Sequence, residues 1–119
     1  MVNLDTHILL FAFTGELTTR ERRLLSEHQW SISATVLWEL AKLAQLARID
    51  LDIDSNEFSR YLSTVHLWPL TLEICTSIRK LDFKSDPADE LICSTSMVHD
   101  VPLLTRDRLL RRSKIVPLA

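Results

Sequence analysis

Apolar residues recur along this chain in two rhythms: short runs typical of buried strands, and longer stretches repeating every three or four residues, typical of helices. Val2 to Leu4 is a first short run that stops at Asp5, and His7 to Phe13 reads as the helix it feeds. From Thr18 or Thr19, RERRLLSEH carries a polar helix, and Trp30, Ile32 and their neighbours make a second strand. Ser33 then caps a long helix through about Ala47, with Val36, Leu37, Leu40, Leu43, Ala44 and Ala47 at helical spacing. Asp54 or Ser55 opens another helix ending near Val65, HLWPL holds a brief strand, and Thr71 starts a helix to about Leu81. Asp86 begins the next helix, because Asp caps well and Pro87 suits the first helical position. Val101 to Thr105 is a fourth strand, Asp107 to Arg111 a short helix, and Ile115 to Leu118 is expected as a last strand at an edge.

Strands separated by helices in this way predict an α/β layer fold around a mainly parallel sheet. No repeat, low-complexity segment or Pro/Ser-rich linker interrupts the 119 residues, so residues 1–119 are expected to form a single domain. Gly15 is the only glycine, which excludes phosphate-cradling glycine loops and dinucleotide folds. Cys75 and Cys93 stand alone in apolar helical patterns, so they are read as buried small hydrophobes and not as zinc ligands or disulfide partners. The net charge of -2 proposes neither nucleic acid nor membrane. No apolar run reaches the roughly 18 residues of a membrane span, and Asp5 interrupts what would be a signal peptide's apolar region, so a cytoplasmic location without membrane contact is expected.

In parallel sheets ligands sit beyond the carboxyl ends of the strands, and four acids fall near that edge. Asp5 ends the first strand, Asp107 follows the fourth by two residues, Glu39 lies on the helix leaving the second, and Asp89 lies at the start of the helix leading into the fourth. Singly, each has a structural reading: Asp5 and Asp107 as helix caps, Glu39 as a solvated helix residue, Asp89 as a first-turn acid. Glu39, however, is embedded in VLWELAKL, and an unpaired buried carboxylate is costly. Two like charges about 4 Å apart repel by roughly 4 kcal/mol at an effective dielectric of 20, so converging carboxylates need a cation. An all-oxygen ligand set favours Mg²⁺ or Mn²⁺.

LDTHILL, SATVLWELAKL, DPADELI and PLLTRD occur in this order, and together they resemble the PIN-domain ribonucleases, in particular the VapC-type toxins of toxin–antitoxin pairs. The likeness covers essentially the whole chain. It implies a three-layer sandwich with a central, mainly parallel sheet of about five strands, and it places the family's acidic tetrad on Asp5, Glu39, Asp89 and Asp107. The implied activity is hydrolysis of RNA phosphodiesters by metal-activated water, with Mg²⁺ or Mn²⁺ held by those four acids. A small cognate antitoxin and a homodimer are implied partners. Two departures stand out: CSTS follows DELI where the family usually has an alanine-rich stretch, and Ala88 occupies a position often aromatic.

Around the tetrad, Thr6 and Thr105 are placed to orient carboxylates through their hydroxyls, or to cap locally. Asp86 is read as a cap that is free to assist. His7 is expected to turn away along its helix, and His28, His66 and His99 show no ligand spacing. Arg106, Arg108, Arg111, Arg112 and Lys114 form a basic run beside the acids, with Arg20, Arg22 and Arg23 as another; either is a solvated face or a contact for the RNA backbone. Trp30, Trp38 and Trp68 are too scattered for a base-stacking platform and are read as core or interface. The alternative is a non-catalytic RNA-binding or adaptor domain of the same fold. A haloacid-dehalogenase-type phosphatase would need an aspartate at position 7, where His7 stands, and a response-regulator receiver would need an acidic pair beside the first strand.

Overall fold

The computed structural model describes all residues, 1–119. Its elements run β1 (Val2–Leu4), α1 (Thr6–Thr14), α2 (Thr19–Glu27), β2 (Trp30–Ser33), α3 (Ala34–Gln45), α4 (Asn56–Ser63), β3 (His66–Trp68), α5 (Leu72–Ser77), α6 (Pro87–His99), β4 (Leu103–Leu104) and α7 (Arg108–Arg111). The strands form one parallel sheet in the order β3-β2-β1-β4. Every residue of β1 is buried, as is most of β2, which requires helices on both faces of the sheet. The result is the expected α/β layering.

The sheet is narrower than expected. Instead of a fifth strand over 115–118, the C-terminal segment makes a single parallel bridge between Leu103 and Leu118, with Pro117 and Ala119 supplying the flanking backbone bonds to Leu103. Pro117 has no N–H to extend a ladder. The fourth strand is likewise reduced to Leu103–Leu104, preceded by Pro102, which has no N–H to give to a ladder.

Helix starts follow their caps. Thr18, Ser33, Ser55, Thr71, Asp86 and Asp107 each accept a first-turn amide with a side-chain oxygen, and Thr18 with Glu21 completes a capping box. Helix ends differ more from the sequence reading. The stretch expected to run to Leu81 is α-helical only to Ser77 and tightens into a 3₁₀ turn over Ile78–Lys80. α3 ends at Gln45, not Ala47: Ala47 takes φ 52°, its amide reaches Ala44 O and that of Arg48 reaches Leu43 O, a Schellman ending with alanine in the position usually held by glycine. Gly15 does hold that position at the end of α1, with φ 80°.

The core gathers Val2 and Leu4 of β1, Ile8 and Leu9 of α1, Ile32 of β2, Val36 and Leu40 of α3, Phe58 of α4, and Ile92 and Cys93 of α6. Cys93 is thus core, as expected, whereas Cys75 is half-buried; both are free thiols. Of the tryptophans, Trp30 packs against the core, and Trp68 stacks on His99 with ring centroids 3.9 Å apart. Trp38 is not core, with 58% of its surface exposed, which leaves the interface reading for it. No helix is long and apolar enough to cross a membrane.

Candidate active site

β1 runs centrally, with β2 on one side and β4 on the other, so the chain's path through the sheet reverses between β1 and β4. At such a switch point the two flanking connections splay apart and leave a crevice at the strands' carboxyl ends. A cavity of about 450 Å³ lies there, lined by Asp5, His7, Phe11, Glu39, Asp86, Asp89, Arg106 and Asp107. All four sequence-predicted acids are therefore brought to one place, although they come from the end of β1, the middle of α3, the start of α6 and the turn after β4.

Each carboxylate is held by short-range chemistry. Asp5 caps α1 by accepting the Thr6 amide at 2.8 Å, and its other oxygen accepts the Thr105 hydroxyl at 2.6 Å. The pairing of β1 with β4 sets this contact, since the Asp5 amide donates to Leu104 O. The Thr6 hydroxyl donates to Glu39 Oε1, and the Ser85 hydroxyl donates to Asp89 Oδ2 at 2.9 Å. Asp107 Oδ1 accepts the amides of Leu109 and Leu110, and its own amide donates to Thr105 Oγ1 at 3.0 Å. The oxygens left without a protein donor are Glu39 Oε2, Asp89 Oδ1 and Asp107 Oδ2. Asp86 caps α6 by accepting the Asp89 amide, yet it also faces the crevice.

None of these acids has a salt-bridge partner. Burial raises the Asp5 carboxyl above its usual range, against the lowering effect of Thr105 and Thr6. Burial likewise raises Glu39, with the Asp5 and Asp86 charges adding to it. Asp89 is pushed up to about 7, first by burial and then by the neighbouring charges of Asp86, Asp5 and Glu39, with the Ser85 hydrogen bond opposing. Such a cluster wants a cation. The donor set is all oxygen, which fits a hard divalent ion such as Mg²⁺ or Mn²⁺. As the side chains stand, no three carboxylate, thiol or imidazole groups approach closely enough to hold an ion, so a cation would have to draw the free oxygens inward.

Two residues sit differently from the sequence reading. His7 is exposed and lines the crevice instead of turning away, close enough to Asp5 and Glu39 for its charge to favour their ionised forms. His7 is the second residue of α1, in its first turn beside the strand end. Arg106, expected as a free RNA contact, is already engaged: Nε and Nη2 grip Glu21 at 2.9 and 2.7 Å, Nη2 also donates to Glu16 O, and the guanidinium lies 4.2 Å over the Phe11 ring. Its Nη1 alone is unpartnered. Arg108 and Arg112 are exposed, and Arg111 is exposed apart from a bond to Thr105 O at 3.2 Å. Sequence reading gave Glu21 no role, although the Thr18-x-x-Glu21 spacing marked it as a capping residue.

Comparison with known proteins places the chain. The family model of the PIN domain matches residues 2–115, and the chain belongs to that family. It is 33% identical over 85 residues to Ribonuclease VapC22 of Mycobacterium tuberculosis, an alignment that covers 68% of this chain and 65% of that protein. Among solved structures, a toxin–antitoxin complex from Klebsiella pneumoniae superposes with a TM-score of 0.74 at 19% identity, covering 100% of this chain and 97% of the other. VapBC2 from Rickettsia felis, bound to a DNA fragment from its promoter, gives 0.74 at 18% identity, covering 100% and 98%. These structural likenesses establish the fold.

Proposed function

We propose that this chain is a VapC-like endoribonuclease that hydrolyses RNA phosphodiester bonds with Mg²⁺ or Mn²⁺ held by Asp5, Glu39, Asp89 and Asp107. The observation that carries the reading is the convergence of four unpaired carboxylates at the switch point of the sheet, three of them raised in pKa. The likeness to a ribonuclease at 33% identity supports it. When bound, a divalent cation supplies acidification of water and neutralisation of charge developing on the phosphate.

The chain's own residues orient the donors. Thr105 ties Asp5 to the turn that carries Asp107, Thr6 fixes Glu39, and Ser85 fixes Asp89, so one oxygen of each of these carboxylates is anchored while the free oxygens are left to close on a cation. Arg108, Arg111 and Arg112 supply cations for the RNA backbone beside a pocket that is itself acidic. Replacing the three by alanine flattens the salt dependence of RNA binding in this reading. The tetrad is intact and unpaired, which a non-catalytic adaptor has no use for. Likeness to toxin–antitoxin complexes supports a small antitoxin as partner, and the family resemblance supports a homodimer.

The test is incubation of the purified protein, freed of any bound partner, with total RNA and Mg²⁺ or Mn²⁺, with and without EDTA. New ends that appear only with the cation support the reading. Cleavage that persists in excess EDTA sinks the metal mechanism.

A further inference from the structure

A second and larger cavity, about 780 Å³, opens beside the acidic crevice, between α1 and the segment that follows α3. His7 and Phe11 line both, so the cavity and the crevice are separated only by one ridge of α1. Those two rings stand one helical turn apart, with centroids 6.3 Å apart. Half of the lining is apolar, with Leu10, Leu43 and Leu51 among it, and the polar part includes Thr14, Arg48 and Asp50. The left-handed Ala47 creates this wall by turning the chain after α3 so that Arg48 to Leu51 face α1. Arg48 also lines a smaller opening that returns past Trp38 to Glu39 and Asp86.

We propose that this cavity is a nucleobase subsite, which takes the base next to the phosphate bound in the crevice and so sets which RNA sequences are cut. The inference rests on the ribonuclease reading above. A ligand that enters both spaces must present an anionic link to the carboxylate-held cation and a flat, largely apolar group to the neighbouring cavity, which describes one nucleotide of a single strand. Sequence-selective RNA recognition uses unstacked bases held against aromatic or guanidinium planes and read along their edges. His7 and Phe11 supply rings, Thr14 and Asp50 supply edge partners, and Arg48 supplies a cation for the following phosphate. The volume lies in the range of pockets that bury small ligands, roughly 300–1,000 Å³. An apolar peptide segment would fill the leucine wall but would leave the polar edge and Arg48 unmatched.

The experiment is a walk of abasic sites. A single-stranded RNA with one mapped cut is resynthesised with the base removed at each position in turn, and the rates are measured with Mn²⁺. One position flanking the cut should slow by about tenfold, the factor that loss of one stacked base carries. Thr14→Trp and Asp50→Trp, two exposed positions whose variants can be checked by melting, block the mouth of the cavity. In either folded variant, intact and abasic RNA should be cut at the same reduced rate. Uniform rates along the walk while cutting persists would leave the cavity to a protein segment and overturn the subsite alone. An abasic penalty unchanged in the folded variants also overturns it, because the base then binds elsewhere. Absence of cutting on every RNA removes the ribonuclease reading and the subsite together.

Discussion

Glu21 and Asp89 are both sheltered carboxylates in one small domain, and folding treats them in opposite ways. Glu21 accepts Thr18 on one side and the Arg106 fork on the other, and its pKa falls to about 2, chiefly through the Arg106 hydrogen bonds. Asp89 has one hydroxyl donor, three acidic neighbours and no cation, and burial pushes it up to about 7. A carboxylate that serves the fold is paired in the fold. One left unpaired in the crevice is destabilising on its own, which makes it the candidate for binding a cation. The same contrast separates Arg106, paired with Glu21 and the Glu16 carbonyl, from Arg108 and Arg112, which have no side-chain partner; all three are exposed.

The largest effects should come from breaking the unpaired side. Asp89→Asn is expected to eliminate metal-dependent cleavage while the fold persists, measured by RNA cleavage in Mn²⁺ beside a melting curve. Loss of folding in that variant would make Asp89 structural. On the paired side the outcome reverses. Glu21→Gln weakens a charged hydrogen-bond pair and should cost about 1.5 kcal/mol in urea denaturation, with cleavage largely kept.

The pH dependence of stability sharpens the contrast, because the two shifts have opposite signs. Asp89 has a folded pKa above its unfolded 3.8, so without metal its contribution is lost as pH rises from there through about 7. Glu21 has a folded pKa below its unfolded 4.5, so its contribution is present above that value and lost as pH falls through about 2. Urea midpoints measured across pH in EDTA should show a shallower first slope in Asp89→Asn, with the remainder due to the raised Asp5 and Glu39, and should lose the second in Glu21→Gln. A pH profile identical to wild type in both variants would refute the assignment of the slopes.

The smallest effect separates the two aspartates of DPADELI. Asp86 holds the Asp89 amide at 2.9 Å as a cap, so Asp86→Ala should cost about 1 kcal/mol and leave substantial cleavage. Its position on the crevice wall makes this the closer test: an inactive Asp86→Ala beside an active Asp89→Asn would transfer the ligand role to Asp86.

The sequence made the strand-end acids legible because a strand stop and a cap are both local signals: Asp5 before Thr6, Asp107 before a short helix. It made the helix starts legible for the same reason. Helix ends were less readable. The turn at Ala47 uses backbone bonds to Leu43 and Ala44 that no side chain announces, and alanine there gives none of the warning that glycine gives. Long-range pairing was also hidden. Nothing local to Arg106 says that its partner is Glu21, 85 residues away, and nothing in HLW or IVPL says which edge of the sheet forms fully. His7 was misplaced because the direction of a first-turn side chain depends on how α1 sits over the strand end, which is a long-range property.

The central claim, that the unpaired carboxylates exist to hold a cation that cuts RNA, is tested most directly by melting and cleavage on the same preparations. Wild type and Asp5→Asn are each titrated with Mg²⁺ from an EDTA-treated start and then assayed on RNA. The account predicts that Mg²⁺ raises the melting temperature of wild type in step with cleavage, through binding to the native state, while Asp5→Asn shows neither response. Equal stabilisation of both proteins by Mg²⁺, or RNA cleavage by folded Asp5→Asn, would contradict it.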